Sequence, residues 1–297
     1  MLTRRRWLAL GAATLATLAR GARSATSPGE VIDPRPTLAV TLNGRGPFRL
    51  IADSAAQGLA LSRAVAETLK LPEAAQSVAI IGSTGSVPRG ARQAERLDAG
   101  ALHWSGTPAA ILDRHALIEA DGILGLAGLP ALVAHYRFRE RTALVQARSD
   151  TSPPTSLRLP ISVRKGDVPA VEMQLRDAAG RTHRLQAVID TGAERSVGNT
   201  ALAKLAGPQP SAAAPSRNRT LTGASGETIL ATDTPIGTLK LDKFEWGATV
   251  IATADLPAFQ DWGLNATPAL LLGIDLLSRL EALSIDHDRR EVLLSPP

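Results

Sequence analysis

Ala187-Val188-Ile189-Asp190-Thr191-Gly192-Ala193 is the stretch on which the reading of this chain turns. An apolar, β-favouring run delivers one carboxylate, and a hydroxyl and a glycine follow at once. That order predicts a strand running into a tight turn. The turn calls for a residue without a Cβ, and it sets the carboxylate where backbone N–H groups and the Thr191 hydroxyl can hydrogen-bond it. Three residues specify little by themselves, so the surrounding sequence has to carry the reading.

The same pattern occurs earlier in the chain. Ile51-Ala52-Asp53-Ser54-Ala55-Ala56 lies over Val188-Ile189-Asp190-Thr191-Gly192-Ala193 without a gap. Ahead of it, Thr37 to Leu42, the turn Asn43-Gly44-Arg45-Gly46 and Phe48 to Ala52 predict a hairpin. Downstream, Leu59 to Ser62 and Ala64 to Leu71 match Ser196 to Asn199 and Ala201 to Leu205, each a strand followed by a short helix. Gly82-Ser83-Thr84-Gly85 matches Gly223-Ala224-Ser225-Gly226, and Gly122-Ile123-Leu124-Gly125-Leu126 matches Leu270-Leu271-Leu272-Gly273-Ile274. Each half closes with a β-like pair, Tyr136 to Val145 and Leu283 to Leu294. Motifs in one order, twice, define an internal repeat.

The second copy resembles the aspartic peptidases, in particular the retropepsin-like group. There an Asp-Thr-Gly-Ala turn is followed by a Gly-rich flap hairpin, then by two apolar residues and a glycine that pack beside the turn. Asp190 to Ala193, Thr222 to Glu227 and Leu271-Leu272-Gly273-Ile274-Asp275 keep that order from about residue 157 to the end. The resemblance implies an all-β fold of two retropepsin/pepsin-like β-barrel lobes, related by a pseudo-two-fold axis with a cleft between them. It implies catalytic aspartates at Asp53 and Asp190, and turns supported by Thr191, Gly192, Ser54 and Ala55. Flap glycines at Gly82, Gly85, Gly223 and Gly226 and structural glycines at Gly125 and Gly273 complete the set. The expected domains are a signal peptide at 1–25, an N-terminal lobe at 31–147, a linker at 148–156 and a C-terminal lobe at 157–297.

Two carboxylates a few ångström apart cannot both ionise comfortably, so they share a proton. The ionised one takes a proton from water while the protonated one donates to a peptide carbonyl. One aspartate per copy supplies that pair within one chain, which is then expected to act as a monomer with pseudo-dimeric lobes on a peptide or protein substrate held by strand addition. No cofactor and no metal are expected. The sequence departs from the family pattern in three ways: Ala55 replaces a glycine, neither flap carries a tyrosine, and Ala127 stands where the second copy has Asp275. These departures leave open a catalytically inactive peptide-binding module of the same fold, and a homodimer using Asp190 from two chains.

The remaining sequence bounds the setting. Arg4-Arg5-Arg6-Trp7-Leu8, an apolar run from Ala9 to Leu18 and small residues to Ala25 predict a twin-arginine-type signal peptide, hence an exported, periplasmic or secreted bacterial protein with no stable membrane span once the signal is removed. Of 33 basic residues, five arginines lie in that segment, leaving 28 against 28 acidic ones. That balance points away from nucleic acid. The chain has no cysteine, which excludes disulfides and thiol chemistry. Arg148 to Ser156 reads as a linker and Gly207 to Ser216 as a surface loop. Ser162-Val163-Arg164-Lys165 has Ser-x-x-Lys spacing without its companion motifs. The histidines at 103, 115, 135, 183 and 287 share no ligand spacing.

Overall fold

A computed structural model describes residues 34–112, 117, 119–148, 157–206 and 217–296. The signal-like segment, the polar stretch 149–156 and the loop 207–216 lie outside the described residues. Among the described residues the secondary structure is almost wholly β, with four short helices, none of them long and apolar enough to cross a membrane.

In the first half, Thr37–Leu42, Arg45–Asp53, Gly122–Leu126, Gln57–Ser62, Leu102–Leu112 and Ala91–Ala99 lie side by side in that order. Ala91–Ala99 returns to pair with Thr37–Leu42 at Leu42 and Leu97, so the six strands close a barrel and leave no free edge. The second half repeats the arrangement as a half-barrel. Thr182–Ile189 lies between Val168–Arg176 and Ala269–Leu272, followed by Val197–Gly198, Thr249–Thr253 and Thr228–Ile236. Beyond Thr228–Ile236 the chain turns a corner at Gly237, where a Cβ would fall 3.0 Å from the Arg176 carbonyl carbon, and Thr238–Leu241 pairs back onto Val168–Arg176.

Strand registers give the residue-by-residue correspondence of the halves. Thr37 faces Ile51 as Ala170 faces Val188, and Ala60 faces Ala110 as Val197 faces Ala252. The helices after the third strand start alike: the Ser62 hydroxyl accepts from Val65 N–H at 3.2 Å, and Asn199 Oδ1 from Leu202 N–H at 2.9 Å. Both are side-chain N-caps, which is why polar residues end otherwise apolar strands there.

The sheets divide differently from the sequence halves. Leu132–Arg137 and Thr142–Ala147 continue the first-half sheet, and Ala282–Asp286, Glu291–Ser295 and Leu157–Pro160 from the second half add to its edge. Tyr136 faces Leu283 across this junction. One apolar core therefore runs through both halves, from Leu38 and Val145 to Leu283 and Val292. Two smaller clusters flank it, one around Ile51, Ile80 and Ile123, the other around Val188, Ile251's neighbour Ala252 and Leu271. A shared core should melt once, so calorimetry is expected to show a single transition. Leu283→Ala, at a side chain with 0 % exposure, is expected to lower stability by about 3 kcal/mol and to move that transition without splitting it.

Candidate active site

Parallel pairing delivers both aspartates to the junction. Asp53 ends its strand beside Gly125, and Asp190 follows a strand whose last residue, Ile189, lies beside Leu272. The two glycines next to these strands allow close passage of the aspartate turns. A Cβ at Gly125 would fall 2.5 Å from the Ala56 backbone, and one at Gly273 would fall 2.6 Å from that of Arg195.

The two turns are tied to each other. Ser54 N–H donates to Thr191 Oγ1 and Thr191 N–H donates to Ser54 Oγ, both at 3.0 Å. Each hydroxyl passes its own proton across the junction, Ser54 to the Ile189 carbonyl at 2.8 Å and Thr191 to the Ala52 carbonyl at 2.6 Å. Both residues are fully buried. Within each turn the carboxylate accepts backbone N–H groups: Asp53 Oδ1 from Ala55 at 2.9 Å, and Asp190 Oδ1 from Gly192 at 2.9 Å and Ala193 at 3.0 Å.

The carboxylate of Asp53 also lies against the opposite turn. A Cβ at Gly192 would stand 2.2 Å from Asp53 Oδ2, so this position demands glycine through close approach. Backbone conformation is not the reason, since neither Gly192 nor Ala55 has a positive φ. The Ala55 methyl therefore carries no penalty from a left-handed backbone. It packs instead with Ala193 against the second apolar cluster.

Burial pushes the Asp53 carboxyl above its ordinary value, against the pull of the Ala55 N–H and the Arg35 charge. Burial and then the charge of Asp53 push Asp190 well up, opposed by the Gly192 and Ala193 N–H groups and by Arg35. Asp190 is 8 % exposed, and Asp53 keeps partial contact with solvent.

Arg35 escaped the sequence reading. Its guanidinium is buried, donates to the Gly192 carbonyl at 3.3 Å and lies 3.8 Å from Glu194. The only sequence signal was an arginine between two prolines just ahead of the first strand. Its counterpart in the second half, by strand register, is Val168, and the counterpart of Glu194 is Gln57, which donates to Asp167 at 2.9 Å. Ala127 has a similar meaning. In the second half Asp275 accepts from Ser196 N–H at 2.8 Å and from its hydroxyl at 2.6 Å, whereas the first half has Leu59 and Ala127 at those places.

The hairpins Val78–Gly82 with Gly85–Arg89 and Asn218–Thr222 with Thr228–Ile236 meet at their tips. Thr84 Oγ1 donates to the Glu227 carbonyl at 2.8 Å, and Arg89 to the Ser225 carbonyl at 3.2 Å. Gly82, Gly85 and Gly223 line these contacts: a Cβ would fall 3.2 Å from Ser225 N, 3.0 Å from the Glu227 side chain and 2.3 Å from Thr84 Oγ1, respectively. Gly226 takes φ +87°, the left-handed region, to close its turn. Among the described residues no group of three or more His, Asp or Glu side chains is placed to hold a metal ion.

A sequence model of the aspartyl protease family matches the chain twice, at residues 38–127 and 171–276. These matches span well over half the chain, which belongs to the aspartyl protease family. Among solved structures, a retropepsin-like aspartic protease from Rickettsia conorii is similar to it at 17 % identity, covering 47 % of this chain and 90 % of that one with a TM-score of 0.31. No curated protein matches the sequence.

Two substitutions probe this geometry. Gly192→Ala drives a methyl into the Asp53 carboxylate and is expected to cut peptide hydrolysis by about 100-fold or more, as measured by kcat/KM. Arg35→Met removes a positive charge that favours the ionised forms of Asp53 and Asp190. Both carboxyls are then expected to hold their protons to higher pH, by about one unit, in a titration followed by carbon NMR of labelled aspartates.

Proposed function

We propose that the chain is an aspartic endopeptidase in which Asp53 and Asp190 share one proton and activate a water. The reciprocal Ser54–Thr191 bonding carries this reading, because it holds two acidic turns, one from each half, in a single buried frame. In the reaction the ionised carboxylate takes a proton from water as the oxygen attacks the scissile carbonyl carbon. The protonated partner gives its proton to the carbonyl oxygen. Collapse of the resulting diol breaks the C–N bond, and the amine leaves with a proton from the dyad. Substrate is an extended peptide whose backbone runs between the aspartate turns and the two hairpins, which part at the Thr84–Glu227 contact to admit it.

One chain supplies both aspartates, which supports a monomeric enzyme. The arginine-led apolar segment at the start supports export to the periplasm or beyond, with the signal removed. The near-even charge outside that segment supports a peptide rather than a nucleic-acid partner.

The test is peptide-library cleavage read by mass spectrometry, for the protein and for Asp53→Asn and Asp190→Asn. Both substitutions are expected to abolish cutting. Loss with Asp190→Asn alone would point to two chains each contributing Asp190, and peptide binding without cleavage by the unaltered protein would leave a binding module. The same variants report on stability. A carboxyl raised in the folded protein keeps a proton that the unfolded chain releases above about 3.8, so the dyad costs stability as pH rises from there towards neutral. Asp190→Asn is therefore expected to raise the melting temperature at pH 7, with the gain vanishing near pH 3.

A further inference from the structure

A cavity of about 400 Å³ opens on the first half, with Arg63, Arg89 and Arg92 in its walls beside Glu73, Ser77 and Ile111. A smaller one of about 230 Å³ shares Arg63, Arg92 and Ile111 with it and adds Lys70 and Glu67. Four cationic side chains thus stand around this hollow against two carboxylates. Glu73 reaches Arg92 at 3.3 Å, but the two side chains are 84 % and 37 % exposed, so the pair holds weakly and an incoming anion displaces it at small cost. Arg63 is exposed and makes no hydrogen bond or ion pair among the described residues. Repulsion between like charges gathered over one hollow is relieved by an anion from outside the chain.

The hollow is separate from the peptide path. Ala110 and Leu112 join Ile51, Ile80 and Ile123 in the apolar cluster next to Asp53, whereas Ile111 packs on the main core. Alternate residues of a strand point to opposite faces, so the cavity at Ile111 lies on the face of Leu102–Leu112 turned away from that cluster.

The arginines arrive from three separate segments. Arg63 opens the helix Arg63–Thr68, Arg89 ends the strand Gly85–Arg89 and Arg92 lies in the strand Ala91–Ala99. A guanidinium presents a planar fork of N–H donors that fits the paired oxygens of a carboxylate or a phosphate. A single carboxylate has two oxygens to share among three forks, while a tetrahedral oxyanion turns an oxygen towards each. Arg89 also donates to the Ser225 carbonyl at 3.2 Å, and its five N–H groups let it keep that bond while serving an anion.

We propose that this cavity binds a tetrahedral oxyanion, either inorganic phosphate or the phosphoryl group of a small molecule, through Arg63, Arg89 and Arg92. The site is independent of the Asp53–Asp190 reading. Through Arg89 it borders the contact between the two hairpins.

Isothermal titration calorimetry of the full chain at low ionic strength tests this, with inorganic phosphate, glycerol 3-phosphate and succinate as probes. Saturable binding of one equivalent of phosphate is expected, tighter than that of succinate. Arg63→Gln and Arg92→Gln are each expected to weaken it about tenfold without moving the melting temperature of the phosphate-free protein. Glu73→Gln removes the competing carboxylate and is expected to tighten it about threefold. Tighter binding of glycerol 3-phosphate than of phosphate would identify a phosphorylated small molecule as the ligand, and the reverse order the free ion. Absence of saturable binding, equal binding of succinate, or an equal loss with Arg279→Gln, at an exposed arginine of the second half, would overturn the site.

Discussion

Ser54 and Thr191 each accept the other's backbone N–H and each donate into the other half's strand. These bonds, with the Thr191 hydroxyl also 3.3 Å from the Ser54 hydroxyl, cross the junction in a space closed to water, where an unmade bond would leave a buried polar group without compensation. The rest of the structure depends on this bonding. It needs two strands ending at the same depth, which parallel pairing with Gly122–Leu126 and Ala269–Leu272 provides. It also needs the halves held in register, which the sheet from Leu157–Pro160 to Thr37–Leu42 provides.

A frame built from two similar halves is symmetric only in its backbone. One side carries a buried arginine at 35, and the register-equivalent place on the other side holds Val168. Asp275 and Ser196 add a carboxylate lock to the second turn, whereas the first has the apolar Ala127 and Leu59 at those places and no such lock. Gly192 yields to the opposite carboxylate, while Ala55 presents a methyl to an apolar cluster. Two aspartates on equivalent turns therefore sit in unequal surroundings, and unequal surroundings push the proton affinities of two like groups apart. A tandem chain can make such differences where two identical chains could not.

The hairpins follow a similar logic at lower cost. Their tips meet through one hydroxyl and one guanidinium, each donating to a backbone carbonyl. Such contacts are partly exposed, so their loss is repaid by water and the tips can separate without disturbing the core. Glycines at 82, 85 and 223 bring the backbones together there because no side chain intervenes.

Much was legible in the sequence. Alternating apolar runs ending in turn residues specified strands, and the doubled order of motifs specified two similar all-β halves, because side-chain period and turn chemistry are local properties. The pairing of Asp53 with Asp190 could be proposed because each ends an equivalent strand. Arg35 could not be found that way. Its placement depends on which distant segments become neighbours, and a lone arginine carries no local pattern. The same holds for the reason behind Gly192: the turn motif asked for glycine on conformational grounds, whereas the folded chain requires it because the Asp53 carboxylate arrives from 139 positions away. The sequence by itself determined the elements, their repetition and the chemical groups at their ends. Tertiary structure alone decided which buried groups share one field, since burial and charge act through space and not along the chain.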